Sequence, residues 1–314
     1  MLCPMDGRKA ISITGLIGLL LLDAALVAWA LWPTPLPSAA PTPSMPVTSE
    51  TQGSEVEPTT SPTASPTGDW EPVPLARMVA ATSASIAWLA DVGACGDTGR
   101  IHVTVTGGEK WATAEAPGSV LRIRPTDGST GFVVGGDADC EPHVWYTGDR
   151  GETWSPPQSA GNAWGRDPDE AQLVLRPGGA PVQPCGPGAV LDLVGLSGGA
   201  ATALCGDGRV TVTTDRGETW ANSVTAPGAL ALSFTEVGEG VVVARTDGCI
   251  GVTVSAVSAG ELGAPTCVDE VAPVAGQVAI SMAPRAVWLV VGSDVLRATG
   301  LTGPFSKVAT WPGA

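Results

Sequence analysis

Thr147-Gly-Asp-Arg-Gly-Glu-Thr-Trp154 and Thr213-Thr-Asp-Arg-Gly-Glu-Thr-Trp220 are two copies of one eight-residue segment. A degenerate third copy, Thr104-Val-Thr-Gly-Gly-Glu-Lys-Trp111, has threonine in place of the aspartate and lysine in place of the second threonine. Each copy follows a short polar run rich in β-branched residues, which is typical of a strand. The recurrence of one turn-like segment predicts a repeat architecture built from hairpins.

Short apolar segments with the character of strands surround these copies. Upstream of the three copies lie Ile86–Ala90, Phe132–Gly136 and Ala201–Cys205. Two later repeats keep the strands but lose the eight-residue segment, at 241–244 with 251–255 and at 287–291 with 295–298. A period of about 45 residues with four short strands is typical of propeller blades. The chain from 69 to 314 therefore predicts an all-β propeller of four-stranded blades, five visible and a sixth if 155–187 contains a degenerate one.

The repeated segments resemble the Asp-boxes of the bacterial neuraminidase repeat, Ser/Thr-x-Asp-x-Gly-x-Thr-Trp. The wider pattern is similar to the repeats of photosystem II assembly-factor-like propellers and of uncharacterised exported bacterial propellers. The resemblance covers about 240 residues and implies a fold more strongly than an activity, since one fold carries many functions. The residues that match the motif are Thr147, Asp149, Gly151, Thr153, Trp154, Thr213, Asp215, Gly217, Thr219 and Trp220.

Elementary chemistry indicates a structural role for this motif. Asp149 and Asp215 can accept backbone N–H bonds inside a tight turn, and the following glycines supply a positive φ. Each tryptophan buries a large ring against its hairpin and the neighbouring blade. We therefore expect the hairpin between the third and fourth strands to be stabilised here, without metal binding.

The N-terminus predicts export. Residues 10–32 are apolar except for Asp23, follow Arg8 and Lys9, and are long enough to span a bilayer. The positive-inside rule then places 1–9 in the cytoplasm and the rest outside. The alternative is a cleaved signal peptide, because Ala28-Trp29-Ala30 has the form of a cleavage site. We favour an uncleaved, single-pass anchor in the plasma membrane, in which Asp23 is either tolerated or functional.

Residues 33–68 contain nine Pro, eight Thr and six Ser without an apolar period. Such a composition cannot bury a core, so we expect a disordered linker between the anchor and an extracytoplasmic domain at 69–314. The predominance of Arg over Lys with abundant Ala, Gly and Pro suggests a GC-rich bacterial source.

Six of the seven cysteines follow the predicted anchor, and an even number in an oxidising compartment indicates disulfides. Their positions, between second and third strands or in links between blades, place them on one rim. The pairing we expect is Cys95 with Cys140, Cys185 with Cys205, and Cys249 with Cys267. These cysteines have no Cys-x-x-Cys spacing, so we do not expect their thiols to bind a metal.

The net charge of −15 makes nucleic acid an unfavourable partner. Sialidase-like propellers use three arginines and a tyrosine with a carboxylate, which the resemblance invites us to look for. Tyr146, the single tyrosine, lies on a third strand, and Arg122 and Arg124 lie on an inner strand in a setting unlike the family's motif. We therefore expect no catalytic site, unless those two arginines converge with a third.

The histidines provide little support for a metal site. His102 and His143 occupy similar positions on third strands of adjacent repeats, where they either decorate a rim or approach each other near acidic residues. We predict no metal and no cofactor.

A segment rich in charge follows the second repeat. It contains the candidate binding residues Trp164, Arg166, Asp167, Asp169 and Glu170. Loops on rigid scaffolds are frequent binding sites, and Trp and Arg are frequent interface anchors; alternatively Trp164 covers a blade edge. The sequence thus predicts a membrane-tethered, non-catalytic module that binds or assembles an envelope protein or cell-surface ligand, with a carbohydrate-binding or carbohydrate-hydrolysing protein of the sialidase type as the alternative.

Overall fold

A computed structural model describes residues 73–235, 238–269 and 272–313 of the chain. These residues belong to one compact unit, 62–314, and form six β-sheets. The predicted cytoplasmic segment, anchor and linker, residues 1–68, lie outside the described ranges. Within those ranges no helix has the length and hydropathy of a membrane span.

Each sheet is one blade, and the chain passes through the blades in order. Blade 1 contains β1 (Arg77–Ala81), β2 (Ala87–Asp91), β3 (Arg100–Thr104) and β4 (Ala112–Glu115). Blade 2 contains β5 (Ser119–Pro125), β6 (Gly131–Gly136), β7 (Pro142–Thr147) and β8 (Gln158–Ser159). Blade 3 contains β9 (Gly165–Arg166), β10 (Val174–Arg176) and β11 (Gly179–Val182).

The second half of the ring is more regular. Blade 4 contains β12 (Val190–Gly195), β13 (Ala201–Cys205), β14 (Arg209–Thr213) and β15 (Ala221–Thr225), with a 3-10 turn at Ser197–Gly199. Blade 5 contains β16 (Ala229–Phe234), β17 (Gly240–Ala244), β18 (Val252–Ser258), β19 (Glu261–Leu262) and β20 (Thr266–Val268). Blade 6 contains β21 (Val278–Ala283), β22 (Ala286–Val291), β23 (Asp294–Ala298) and β24 (Ser306–Thr310).

The fold is a six-bladed β-propeller, as the repeats predict. All pairings within blades are antiparallel and join strands that are adjacent in the chain, apart from β20, which pairs with β18 and continues the interrupted outer edge of blade 5. Blade 3 comes from the stretch 155–187, which confirms that this stretch contains a degenerate repeat and raises the number of blades from five to six. Blade 3 departs from the four-stranded pattern, with three strands.

The odd strand count reverses the direction of blade 3. A four-stranded blade begins and ends on the same rim, whereas a three-stranded blade must begin and end on opposite rims. Trp164, before β9, lies at the hairpin of Gly217, while Asp169, after β9, lies at the disulfide of Cys95 and Cys140. Its inner strand therefore runs antiparallel to the other five. We call the rim with the Thr147–Trp154 and Thr213–Trp220 hairpins the turn rim, and the opposite one the cysteine rim.

Polar side chains join inner strands of neighbouring blades. In each case a backbone N–H at the edge of one inner strand donates to a side-chain oxygen of the preceding blade. The three bonds are Leu232 N to Asp192 Oδ2 (2.9 Å), Met282 N to Ser233 Oγ (3.0 Å) and Ala81 N to Ser281 Oγ (2.9 Å). They satisfy backbone donors that face the axis, where no further strand can pair with them.

The apolar core lies between the blade faces. Trp88 and Trp288 are fully buried, and the Trp288 ring nitrogen donates to the carbonyl of Ser83 across the seam between blades 6 and 1 (3.0 Å). Arg297 of blade 6 also donates to the carbonyl of Ala84 (2.6 Å). These side-chain bonds close the ring together with backbone bonds from Ala76 and Arg77 to the carbonyl of Gly276, because blade 1 and blade 6 each consist of consecutive strands.

The structure confirms all three expected disulfides. Cys95–Cys140 joins blades 1 and 2, Cys185–Cys205 joins the link before blade 4 to the second strand of that blade, and Cys249–Cys267 lies within blade 5. Three disulfides indicate an oxidising, extracytoplasmic environment.

Candidate functional site

The repeated hairpins are held by a compact set of hydrogen bonds. Asp149 Oδ1 accepts the backbone N–H of Thr153 (2.9 Å) and the hydroxyl of Thr147 (2.8 Å), while Asp149 Oδ2 accepts the Thr153 hydroxyl (2.5 Å). Gly151 has φ +87°, and the Thr147 hydroxyl accepts its N–H (2.9 Å). The hydrogen bonds from Thr153 and Thr147 lower the pKa of Asp149, so its carboxylate is committed to the turn.

The second copy, Thr213–Trp220, repeats this geometry. Asp215 accepts bonds from the N–H (3.0 Å) and hydroxyl (2.6 Å) of Thr219 and from the Thr213 hydroxyl (2.7 Å). These bonds lower the pKa of Asp215 to about 2, and the bonds from Thr219 have the largest effect. In the degenerate copy the Thr106 hydroxyl takes the place of the carboxylate and accepts the N–H of Lys110 (2.9 Å).

The tryptophans of the two hairpins contact preceding blades. Trp154 Nε1 donates to the carbonyl of Glu115 in β4 (3.0 Å). The ring of Trp220 packs edge-on against Trp164, with centroids 5.9 Å apart. Each hairpin is therefore fixed to its neighbour, so the turn rim presents a rigid surface.

A channel of about 420 Å³ lies between the inner strands, and its lining includes Leu75 and Arg166 on the side of the cysteine rim. The segment before β1 crosses its floor. The N–H of Leu75 donates to the carbonyl of Leu191 (3.2 Å), and the Leu75 carbonyl accepts a bond from Arg166 Nη2 (2.9 Å). A ligand thus has access to the axis from the turn rim.

Two ionisable residues lie at this floor. Burial lowers the pKa of Arg166 and raises the pKa of Asp192, and the charge of each opposes the shift of the other. The Asp192 carboxylate accepts N–H bonds from Leu193 (2.8 Å) and Leu232 (2.9 Å). Both residues therefore serve the ring itself: Asp192 binds the inner strand of blade 5 through Leu232, and Arg166 binds the segment before β1 through Leu75.

A second cavity, of about 560 Å³, opens on the turn rim above blade 3. We call it the blade-3 cavity. It lies where the shortened blade leaves a gap between blades 2 and 4, and it shares Arg122, Arg124 and Leu196 with the channel mouth. Its wall includes the exposed ring of Tyr146, which lies 5.8 Å from Phe132.

Arginines dominate the chemistry of the blade-3 cavity. Arg122 and Arg124 both donate to the carbonyl of Gly195, at 2.7 Å and 3.5 Å, so their guanidinium groups converge there. Arg216, on the second hairpin, lines the same cavity. Among the described residues that line it there is no aspartate, glutamate or histidine.

The sequence-predicted binding residues do not form one site. Trp164 and Arg166 are buried, at 3% and 8% exposure. The short strand β9 carries Arg166 to the channel floor, while Trp164 covers the edge of blade 3 and contributes to the cavity wall. Asp167, Asp169 and Glu170 form a turn on the cysteine rim, where the Asp167 carboxylate accepts the N–H groups of the other two (3.0 Å each).

The histidines bind separate partners. His102 Nε2 lies 3.4 Å from Asp91, and His143 Nε2 lies 2.9 Å from Asp137. In the described ranges, ligand-type side chains gather only beside two disulfides, with Asp169 and with Asp269. Because those sulfurs are bonded to each other, neither group offers a thiolate to a metal.

Sequence reasoning missed the cavity and the place of Tyr146 and Arg216 in it. The sequence indicated the cavity only indirectly, through a repeat that lacks a recognisable hairpin and lies between two repeats that have one. The lost strand opens a gap, and residues on the flanking blades become its walls.

No protein-family model matches the sequence, and no curated protein matches it significantly. Solved β-propellers are similar to it. One is YCF48 bound to a D1 peptide, with 19% identity and a TM-score of 0.29 over 75% of this chain and 70% of that chain. Another is the GH74 xyloglucanase of Xanthomonas campestris, with 15% identity and a TM-score of 0.31 over 76% of this chain and 39% of that chain. A third is the calcium-binding protein regucalcin of Agrobacterium tumefaciens, with 10% identity and a TM-score of 0.36 over 77% of this chain and 76% of that chain. At these identities and TM-scores the similarity assigns no function.

Proposed function

We propose that this chain is a non-catalytic, extracytoplasmic binding module that engages an envelope protein or cell-surface ligand through the blade-3 cavity. The observation that carries the proposal is the cavity itself, a concave site that opens on a rigid rim beside exposed Tyr146 and Arg216. Tyrosine and arginine are enriched among interface anchors. The segment that crosses the channel floor favours approach from this rim.

The proposal includes the membrane anchor at 10–32, a GC-rich bacterial host, and the identity of the two hairpins as Asp-boxes. The hydrogen bonds of Asp149 and Asp215 support the last point, because both carboxylates are used within their own turns. An anchor followed by a Pro-rich linker would hold the propeller away from the membrane.

A carbohydrate-binding or carbohydrate-hydrolysing protein of the sialidase type is the second candidate. Two features favour it: Arg122 and Arg124 converge at Gly195, and Tyr146 lines the same cavity. Hydrolysis needs carboxyl groups as acid and nucleophile or as partner of the tyrosine. The described lining residues supply none, so we favour binding over catalysis.

The test is site-specific photo-crosslinking of the tagged, full-length protein in its own host. A crosslinking phenylalanine analogue at Tyr146 should capture one discrete partner, and the same analogue at Ile250, 75% exposed on the cysteine rim, should not. Combining Tyr146→Ala and Arg216→Gln should abolish co-purification of that partner, whereas Ile250→Ala should not. Glycan fragments in place of a protein would move the carbohydrate candidate to the front, and equal capture at both positions would contradict the proposal.

A further inference from the structure

The described lining of the blade-3 cavity carries only positive side-chain charges, in a protein with a net charge of −15. Three arginines line it, and the described lining contains no acidic side chain. Such a local excess of one sign attracts the opposite charge, and arginine recognises oxyanions through paired N–H donors. We infer that the cavity binds an oxyanion, a carboxylate or phosphate carried by the ligand; this rests on the proposed function and names its ligand chemistry.

Arg122 supports the wall of the cavity. It donates to the carbonyls of Trp164 (3.2 Å) and Gly195 (2.7 Å), and so fixes the wall between blades 2 and 4. A Cβ at Gly195 would lie 2.5 Å from Arg122 Nη1, so the absence of a side chain there gives the guanidinium its place. We assign Arg122 to the support of the cavity, because its donors are turned to backbone oxygens.

Arg124 is available to a ligand. Its side chain is exposed, and its contact with Gly195 is long at 3.5 Å, which leaves most of the five guanidinium N–H donors without a protein acceptor in the described ranges. Within those ranges Arg124 forms no ion pair.

Arg216 is presented by a rigid turn. Its N–H donates to the carbonyl of Gly199 (3.0 Å), and its own carbonyl accepts a bond from Arg176 (3.2 Å). Asp215 uses its carboxylate within the turn instead of pairing with this arginine. No described residue accepts a hydrogen bond from the Arg216 guanidinium. Backbone bonds thus hold the residue at the cavity while its charge stays available.

The experiment measures stabilisation of the full-length, detergent-solubilised protein by acetate and by inorganic phosphate, against chloride at equal ionic strength. A bound anion raises the melting temperature in a saturable way. We expect this for wild type, with Arg124→Gln and Arg216→Gln each weakening the apparent affinity about tenfold or more, as the loss of charge-assisted hydrogen bonds predicts. Arg285→Gln, an exposed arginine of blade 6, is the matched control.

Comparison of the two anions distinguishes a carboxylate ligand from a phosphorylated one. Stronger binding of acetate identifies a carboxylate ligand, and stronger binding of phosphate identifies a phosphorylated one. The inference is overturned if neither anion raises the melting temperature beyond chloride, or if Arg124→Gln and Arg216→Gln both respond like wild type. If neither anion binds but crosslinking at position 146 still captures a partner, the oxyanion inference is contradicted and the binding-module proposal stands. If an anion binds but no partner is captured, the oxyanion inference stands and the binding-module proposal is contradicted.

Discussion

Arg122 of blade 2 donates a hydrogen bond of 2.7 Å to the carbonyl of Gly195 at the end of the inner strand of blade 4. The contact passes over blade 3, whose inner strand contains only two residues. A side chain therefore joins two blades that are not neighbours in the ring. The same shortening that requires this contact also opens the cavity beside it.

Arg122→Ala should destabilise the propeller by about 2–3 kcal/mol, because it removes charge-assisted bonds to two backbone carbonyls. Urea denaturation measures the change. Arg124→Ala, at an exposed side chain two residues away, should change stability by less than about 0.5 kcal/mol. Equal effects of the two substitutions would show that Arg122 does not support the ring.

Gly195→Ala tests the same contact from the other side. The added methyl group would lie 2.5 Å from Arg122 Nη1 and 2.7 Å from Trp164 Cβ, so we expect a loss of about 1–3 kcal/mol from overpacking. At Gly148 a Cβ meets no atom within 4 Å, and Gly148→Ala should be close to neutral in the same denaturation experiment. A neutral Gly195→Ala would argue against close packing above blade 3.

Acid should weaken the second hairpin. The pKa of Asp215 falls from 3.8 to about 2 on folding, so its stabilisation is complete above about pH 4 and is lost as the pH falls toward 2. Melting temperature followed over this range should drop less steeply in Asp215→Asn. Thr219→Ser keeps the hydroxyl donor and should retain the wild-type profile, whereas Thr219→Val should flatten it; identical profiles in all variants would be inconsistent with this mechanism.

Removal of the Cys95–Cys140 disulfide, by serine at both positions, should lower the free energy of unfolding by up to about 4 kcal/mol. The estimate follows from the entropy of closing a loop of 45 residues in the unfolded chain. Thermal denaturation with and without reductant measures it, and reductant should have less effect on the double variant. Unchanged stability would mean that blades 1 and 2 need no covalent link.

Arg166→Met should release the segment that crosses the channel floor. Methionine fills similar space but cannot donate to the Leu75 carbonyl, so residues 73–76 should be cleaved faster in limited proteolysis while the blades stay resistant. Arg100→Met, at an exposed position, serves as control. Unchanged cleavage would show that other bonds hold the floor.

Much of the fold could be predicted because its signals are local. Each hairpin places donor, acceptor and glycine within eight residues, so Thr147–Trp154 indicates its turn without reference to the rest of the chain. The expected disulfides followed from the same regularity, since turns such as those at Cys95 and Cys140 recur at equivalent places. The binding residues were harder: Trp164 and Arg166 resemble interface anchors in composition, yet both are buried.

The sequence by itself determined five of the six blades, because strand period, turn chemistry and cysteine placement are properties of short segments. Only the tertiary structure decided where a site can form. Arg124 and Arg216 belong to blades 2 and 4, and they line one cavity because blade 3 has three strands and runs in the reverse direction. The count of strands in one blade fixes which side chains meet above it, and that count depends on pairing through space rather than on any motif.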